Sequence, residues 1–156
     1  MTGTLAVGAK APAFKLPKEG DEKVTLASLK GKKVVLYFYP KDDTSGCTKE
    51  AIAFNSLKKK FEAAGATILG VSPDSVESHA KFSKKYDLSL TLLSDETKEM
   101  LEAYGVWTEK SMYGRKYMGV ERTTILIDEK GKIARIWNKV KVDGHAEEVL
   151  AAVEGM

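Results

Sequence analysis

Val34–Tyr39 is an unbroken apolar run that stops at Pro40, and Ala66–Val71 and Leu88–Leu93 repeat the pattern further along. Apolar runs without polar alternation predict strands covered on both faces. Between the first two, Phe54, Leu57, Phe61 and Ala64 fall at helical spacing. They predict a helix from Thr44–Cys47 to Ala64, closed by Gly65. A second helix is expected over Val76–Tyr86 with caps in Ser72-Pro73-Asp74-Ser75, and a short third from Ser94–Asp95 through Met100 to Tyr104. Arg122–Asp128 and Ile133–Trp137 flank Glu129-Lys130-Gly131 and predict an antiparallel hairpin. A last helix is predicted over Gly144–Val153.

The ends and connections are less regular. Residues 1–13 read as an extended lead-in. Phe14–Leu16 and Lys23–Leu26 surround the turn-rich Pro17–Asp21 and suggest a small N-terminal hairpin, and Ala27–Gly31 a brief turn. Gly105–Gly119 mixes Trp, Tyr, Lys, Met and Gly without a period, so a long loop is expected there. Strands alternating with helices, then a hairpin and a helix, predict an α/β sandwich on a mixed sheet, with residues 1–156 as one domain.

Composition narrows the function. The 156 residues are 43% hydrophobic and 30% charged, as in ordinary soluble proteins. The net charge of +3 is spread without a dense basic block, so no nucleic-acid partner is expected. No apolar run is long enough to predict a membrane span, and the first residues lack the charged-then-apolar pattern of a secretory signal. The cytoplasm is therefore the expected location. Cys47 is the one cysteine, which excludes an intramolecular disulfide and any multi-cysteine zinc site.

That thiol falls in the first turn of the predicted helix, at the carboxyl end of its strand. Unpaired N–H groups and the positive end of the helix dipole favour thiolate over thiol there. Its neighbours suit a reactive sulfur better than a core filler. Gly46 allows close backbone approach, Thr44 can donate a hydroxyl hydrogen bond, and Pro40 shields the pocket without adding an N–H.

Pro40-x-x-x-Thr44-x-x-Cys47 matches the active-site signature of peroxiredoxins. The wider Tyr37–Ala51 stretch, YFYPKDDTSGCTKEA, resembles the peroxiredoxin Q (bacterioferritin comigratory protein) group. The similarity runs from Gly8-x-x-Ala11-Pro12-x-Phe14 through Gly70-Val71-Ser72 to Met112-Tyr113-Gly114 and Gly119–Thr124. It implies a thioredoxin-like three-layer fold and thiol-dependent reduction of hydrogen peroxide and organic hydroperoxides, without metal, flavin or haem. Carried over, Cys47 is the peroxidatic nucleophile, Thr44 the hydroxyl that bonds the peroxide, Pro40 the pocket cover and Arg122 the guanidinium beside the thiolate. Glu50, one turn beyond Cys47, is the expected orienting partner of that arginine. Thioredoxin or glutaredoxin with glutathione would be the reductant, and a monomer or weak dimer the working form.

Two departures follow from the same comparison. Ser45 stands where many relatives have Pro, which predicts a looser loop. The positions where relatives carry a resolving cysteine are Ile52 and Ser83 here, so the sulfenic acid must be resolved by an external thiol, pair with a second chain, or oxidise further. The competing reading is a redox sensor or holdase that oxidises once without turnover. His79 and His145 lack metal-ligand spacing and are expected at the surface; Asp42 and Asp43 are expected to be solvated. Trp107, Met112, Tyr113, Tyr117 and Met118 suit either an apolar rim for organic substrates or a partner, or loop anchoring.

Overall fold

The computed structural model describes residues 5–20 and 22–156. The first four residues of the predicted lead-in, and Asp21 of the predicted turn, lie outside the described residues. A small hairpin, β1 (Lys15–Pro17) with β2 (Lys23–Thr25), precedes a 3-10 turn over Ala27–Leu29. Then follow β3 (Lys33–Phe38), α1 (Ser45–Ala63), β4 (Ala66–Ser72), α2 (Val76–Tyr86), β5 (Thr91–Ser94) and α3 (Glu99–Ala103). The chain ends with β6 (Trp107–Met112), β7 (Arg115–Val120), β8 (Thr123–Ile127), β9 (Ile133–Trp137) and α4 (His145–Glu154).

The central sheet has the order β5-β4-β3-β8-β9, parallel from β5 to β3 and antiparallel at β8 and β9. β3 lies in the middle, which is why its sequence shows no polar alternation: Val34 through Tyr39 are all buried. Val35, Tyr37 and Tyr39 face Cys47, Phe54, Phe61, Phe82 and Val149 from α1, α2 and α4. Val34, Leu36 and Phe38 face Phe14, Met100, Leu101 and Tyr104 on the other side. The result is the expected three-layer α/β sandwich with an N-terminal hairpin.

Tyr37 stacks on Phe54 at a ring-centroid distance of 4.8 Å, and neighbouring β4 makes room for it. A Cβ on Gly70 would lie 2.7 Å from the Tyr37 ring and 2.8 Å from Leu92 Cδ2. The glycine is a packing requirement at this position.

Three expectations change. Gly105–Gly119 is no loop: β6 and β7 pair in register from Trp107↔Val120 to Met112↔Arg115. The pairing supplies backbone bonds on its own, so a hairpin forms without the apolar alternation that marks a half-buried strand. The third strand is shorter than its apolar run, because Leu88 still closes α2 by donating its N–H to Ser83 O at 2.8 Å. The third helix starts later than Ser94–Asp95, and the buried Asp95 carboxylate accepts the Leu101 N–H at 2.8 Å. None of the described helices is long and apolar enough to cross a membrane.

Candidate active site

Pro40–Thr44 connects the carboxyl end of β3 to α1, and Cys47 is the third residue of that helix. Thr44 holds the N-cap position in extended backbone, but its side chain makes no cap bond. The hydroxyl donates instead to Lys41 O at 2.8 Å. N–H groups of the first turn are thereby left without a side-chain cap beside the thiol.

Cys47 is 1% exposed. Its Sγ accepts a hydrogen bond from Arg122 Nη2 at 3.3 Å. Arg122 Nη1 donates to Glu50 Oε1 at 2.7 Å. The topology makes this meeting: Arg122 immediately precedes β8, whose Thr123 pairs with Phe38 at the end of β3. Glu50 arrives one turn after Cys47 on α1. A Cβ at Gly46 would lie 3.2 Å from Arg122 Nη2, so glycine gives the guanidinium its place over the helix start. Thus Cys47, Arg122, Glu50 and Gly46 come together as the sequence suggests, and Thr44 stands at the same helix end. Pro40 is half-buried where the loop leaves β3.

Burial raises the Glu50 carboxyl to about 7, outweighing the attraction of Arg122. Burial also works against the Arg122 charge, yet the charges and hydrogen bonds of Glu50 and Cys47 together outweigh it and strengthen that charge. The two partners respond oppositely because Arg122 keeps 18% of its side chain exposed and Glu50 only 2%. Glu50 Oε2 and the nearby Tyr37 hydroxyl have no hydrogen-bond partner. Burial, then the Glu50 charge, holds the Tyr37 phenol neutral well above its ordinary range.

Three residues expected in water are buried. His145 bonds Thr124 Oγ1 through Nε2 at 2.7 Å and lies edge-on to Phe54 and Trp137. Burial lowers its basicity despite Glu148 nearby. His79 and Asp42 meet at 2.7 Å, with side-chain exposures of 1% and 4%. Local sequence gives no sign of this pair, because its members lie on separate elements and desolvation is a property of the assembled layers. Asp43 does stay at the surface, bonded to Lys85 and Tyr86. Asp42, Asp74 and His79 bring ligand-type atoms within 4.8 Å of one another. Their capacity is already spent, since His79 Nε2 bonds Leu93 O and Asp74 Oδ2 accepts from Ser72 and the Asp42 N–H.

The two candidate resolving positions differ. Ile52 projects from α1 with 45% exposure, away from the core stripe. Ser83 is half-buried on α2 and, with His79, Lys18–Gly20 and Leu88–Leu92, lines an open pocket of about 460 Å³. The predicted apolar rim divides: Met112, Tyr113, Tyr117 and Met118 are exposed on the hairpin, while Trp107 is half-buried against the core.

The AhpC/TSA family model matches residues 7–136. A putative peroxiredoxin bcp of Coxiella burnetii is 54% identical over 147 residues, covering 94% of this chain and 97% of that protein. The chain belongs to the peroxiredoxins, in the Bcp (peroxiredoxin Q) group. Among solved structures, the Xanthomonas campestris bacterioferritin comigratory protein superposes with a TM-score of 0.90 at 43% identity, over 96% of this chain and 98% of that one. That protein was characterised for alkyl peroxide reduction. Xanthomonas campestris peroxiredoxin Q is also known as two cysteine-to-serine variants (TM-score 0.89, 42–43% identity, 98–99% of each chain). Their two altered positions are as far apart in sequence as Cys47 and Ser83. The thioredoxin-like fold of this peroxiredoxin is shared with these neighbours.

Proposed function

We propose that the chain is a one-thiol peroxidase, reducing hydroperoxides at Cys47 and recovering the thiol through external thiols. The contact that carries this reading is Arg122 Nη2 on Cys47 Sγ at 3.3 Å, at an uncapped helix start. The thiolate attacks the terminal oxygen of ROOH. The S–O bond forms as the O–O bond breaks, leaving Cys47 sulfenic acid and an alkoxide or hydroxide that takes a proton from solvent. Negative charge grows on the leaving oxygen, and Arg122 with the first-turn N–H groups are the donors suited to it. Because the Thr44 proton is committed to Lys41 O, the Thr44 oxygen serves as acceptor for the peroxide O–H, reversing the donor role expected from sequence. Pro40 covers the pocket, Glu50 orients Arg122, and Gly46 admits it.

With no second thiol in the sequence, an external thiol displaces water from the sulfenic acid to form a mixed disulfide, and a second thiol of the reductant releases Cys47 as the reductant's own disulfide forms. Thioredoxin or glutaredoxin with glutathione supplies those thiols, in the cytoplasm, where a lone thiol stays reduced. The spacing in the Xanthomonas variants supports Ser83, rather than Ile52, as the former resolving position. Residues 1–156 act as one domain, a reading supported by two apolar layers sharing one sheet, and the chain works as a monomer or weak dimer.

One equivalent of hydrogen peroxide, without thiol, should add one oxygen atom (about 16 Da) to Cys47, trapped by a sulfenate probe. Adding thioredoxin, glutaredoxin–glutathione or dithiothreitol should then give sustained peroxide consumption. Absence of the oxygen adduct overturns the reading; an adduct without turnover under any reductant favours the sensor.

A further inference from the structure

The β6–β7 hairpin pairs with no other strand, and it carries more exposed apolar surface than the fold requires. Among the described residues seven large apolar side chains are exposed, and four of them, Met112, Tyr113, Tyr117 and Met118, lie on this one ribbon. Tyr113, at the tip, is 97% exposed. The joining turn is Tyr113-Gly114, with φ +52° and +77°. A two-residue turn with both values positive ordinarily takes Asn-Gly, because bulkier side chains are strained there. A ring held in a strained position and left in water adds nothing to the stability of the fold. Strain of that kind gathers at surfaces kept for a ligand.

Charge sets the sign of that ligand. The hairpin has Lys110, Arg115 and Lys116 against the single acid Glu109, which pairs with Lys116 at 3.7 Å. Register puts Lys110 opposite Tyr117 and Arg115 opposite Met112, so two cations share one face with two of the apolar side chains. At the hairpin base, Lys98 Nζ adds a further cation 5.8 Å from the centre of the Trp107 ring. Aromatic rings at headgroup level and cations against anionic lipid are two forces that hold proteins at a bilayer face.

Shape decides between a lipid surface and a protein. Two strands of six residues each offer on the order of a few hundred Å² per face. A stable protein interface takes about 800 Å² from each partner. A bilayer sets no such minimum, since every inserted side chain and every neutralised charge adds its own increment. Both edges of the ribbon carry backbone groups without a strand partner, so insertion stops at the hydrated headgroups.

We propose that the β6–β7 hairpin is a peripheral docking element for an anionic lipid bilayer, with Met112 and Tyr113 at headgroup level and Lys110 and Arg115 against lipid phosphates. Val120 ends β7 two residues before Arg122, the guanidinium on Cys47, so the thiol site is carried to the leaflet with it.

The test is co-sedimentation of the full chain with vesicles of phosphatidylcholine alone, or of phosphatidylcholine and phosphatidylglycerol in equal parts. Partition onto the anionic vesicles should exceed that onto the neutral ones at least roughly tenfold, the worth of two or more surface cations. Salt near 1 M, where the screening length is about 3 Å, should release the protein. Lys110→Gln combined with Arg115→Gln should weaken anionic binding roughly twentyfold to thirtyfold. Tyr113→Asn should weaken it severalfold while the thermal midpoint, followed by circular dichroism, holds or rises, because asparagine suits the turn. Equal partition onto both vesicle types, undiminished binding of either variant, or a midpoint that falls in Tyr113→Asn would overturn the proposal. A wild-type chain that stays in solution with both vesicle types would overturn it too, leaving the hairpin to an acidic protein partner.

Discussion

Two buried carboxylates, Asp42 within the Pro40–Thr44 loop and Glu50 on α1 beyond it, each meet a basic side chain, and they are used differently. Asp42 accepts from Tyr39 and Ser78 and meets His79 Nδ1, and His79 spends its other nitrogen on Leu93 O. Glu50 bonds only Arg122, leaving Oε2 without a partner, and Arg122 keeps Nη2 for Cys47 Sγ. The first cluster is saturated and fixes backbone. The second retains unspent donor capacity and an unsatisfied carboxyl oxygen, a costly state for buried groups. Reactive sites keep such capacity open, because a donor fully engaged in the resting state has nothing left for developing charge.

The comparison would break most visibly at Arg122. Arg122→Lys keeps the charge but cannot bond Glu50 and Cys47 at once through a planar fork. Its bimolecular rate with hydrogen peroxide should fall roughly 100–1000-fold, as expected for one or two lost donors. A near wild-type rate in stopped flow would deny Arg122 its role.

Glu50 sharpens the same contrast through pH. Its folded value, about 7, lies above its ordinary 4.5, so the folded state binds the proton more tightly. The stability this contributes is complete below pH 4.5 and is lost as pH rises through about 7. The shift corresponds to roughly 3 kcal/mol. Denaturant midpoints across this range should fall in the wild type and flatten in Glu50→Gln; equal slopes would remove Glu50 as the titrating group.

Smaller effects are expected at the loop and helix start. Thr44→Val removes the acceptor while keeping the shape, and should slow peroxide oxidation about tenfold, with little change in thermal midpoint. Gly46→Ala asks Arg122 to move by tenths of an ångström, since its Cβ would meet Nη2 at 3.2 Å. A loss of about threefold in rate is expected, within the ~1 kcal/mol scale of mild overpacking. A loss matching that of Arg122→Lys would mean that the guanidinium has no room to adjust.

What the sequence determined by itself is the framework and the place of the lone thiol. An unbroken Val34–Tyr39 run needs cover on both faces, helical spacing after Thr44 puts Cys47 in a first turn, and the motif resemblance pointed to Arg122 and Glu50. These are local regularities, written in adjacent residues. The tertiary structure decided which polar groups lose water. His79, His145 and Asp42 look like surface residues in sequence, yet their partners come from other strands and helices, and His79 meets Asp42 only after α2 packs beside the β3 end. It also committed the Thr44 hydroxyl proton to the Lys41 carbonyl, and paired β6 with β7 where no period was visible. Burial and hydrogen-bond direction depend on what arrives from elsewhere in the chain, and hydrophobic patterning carries no record of those partners.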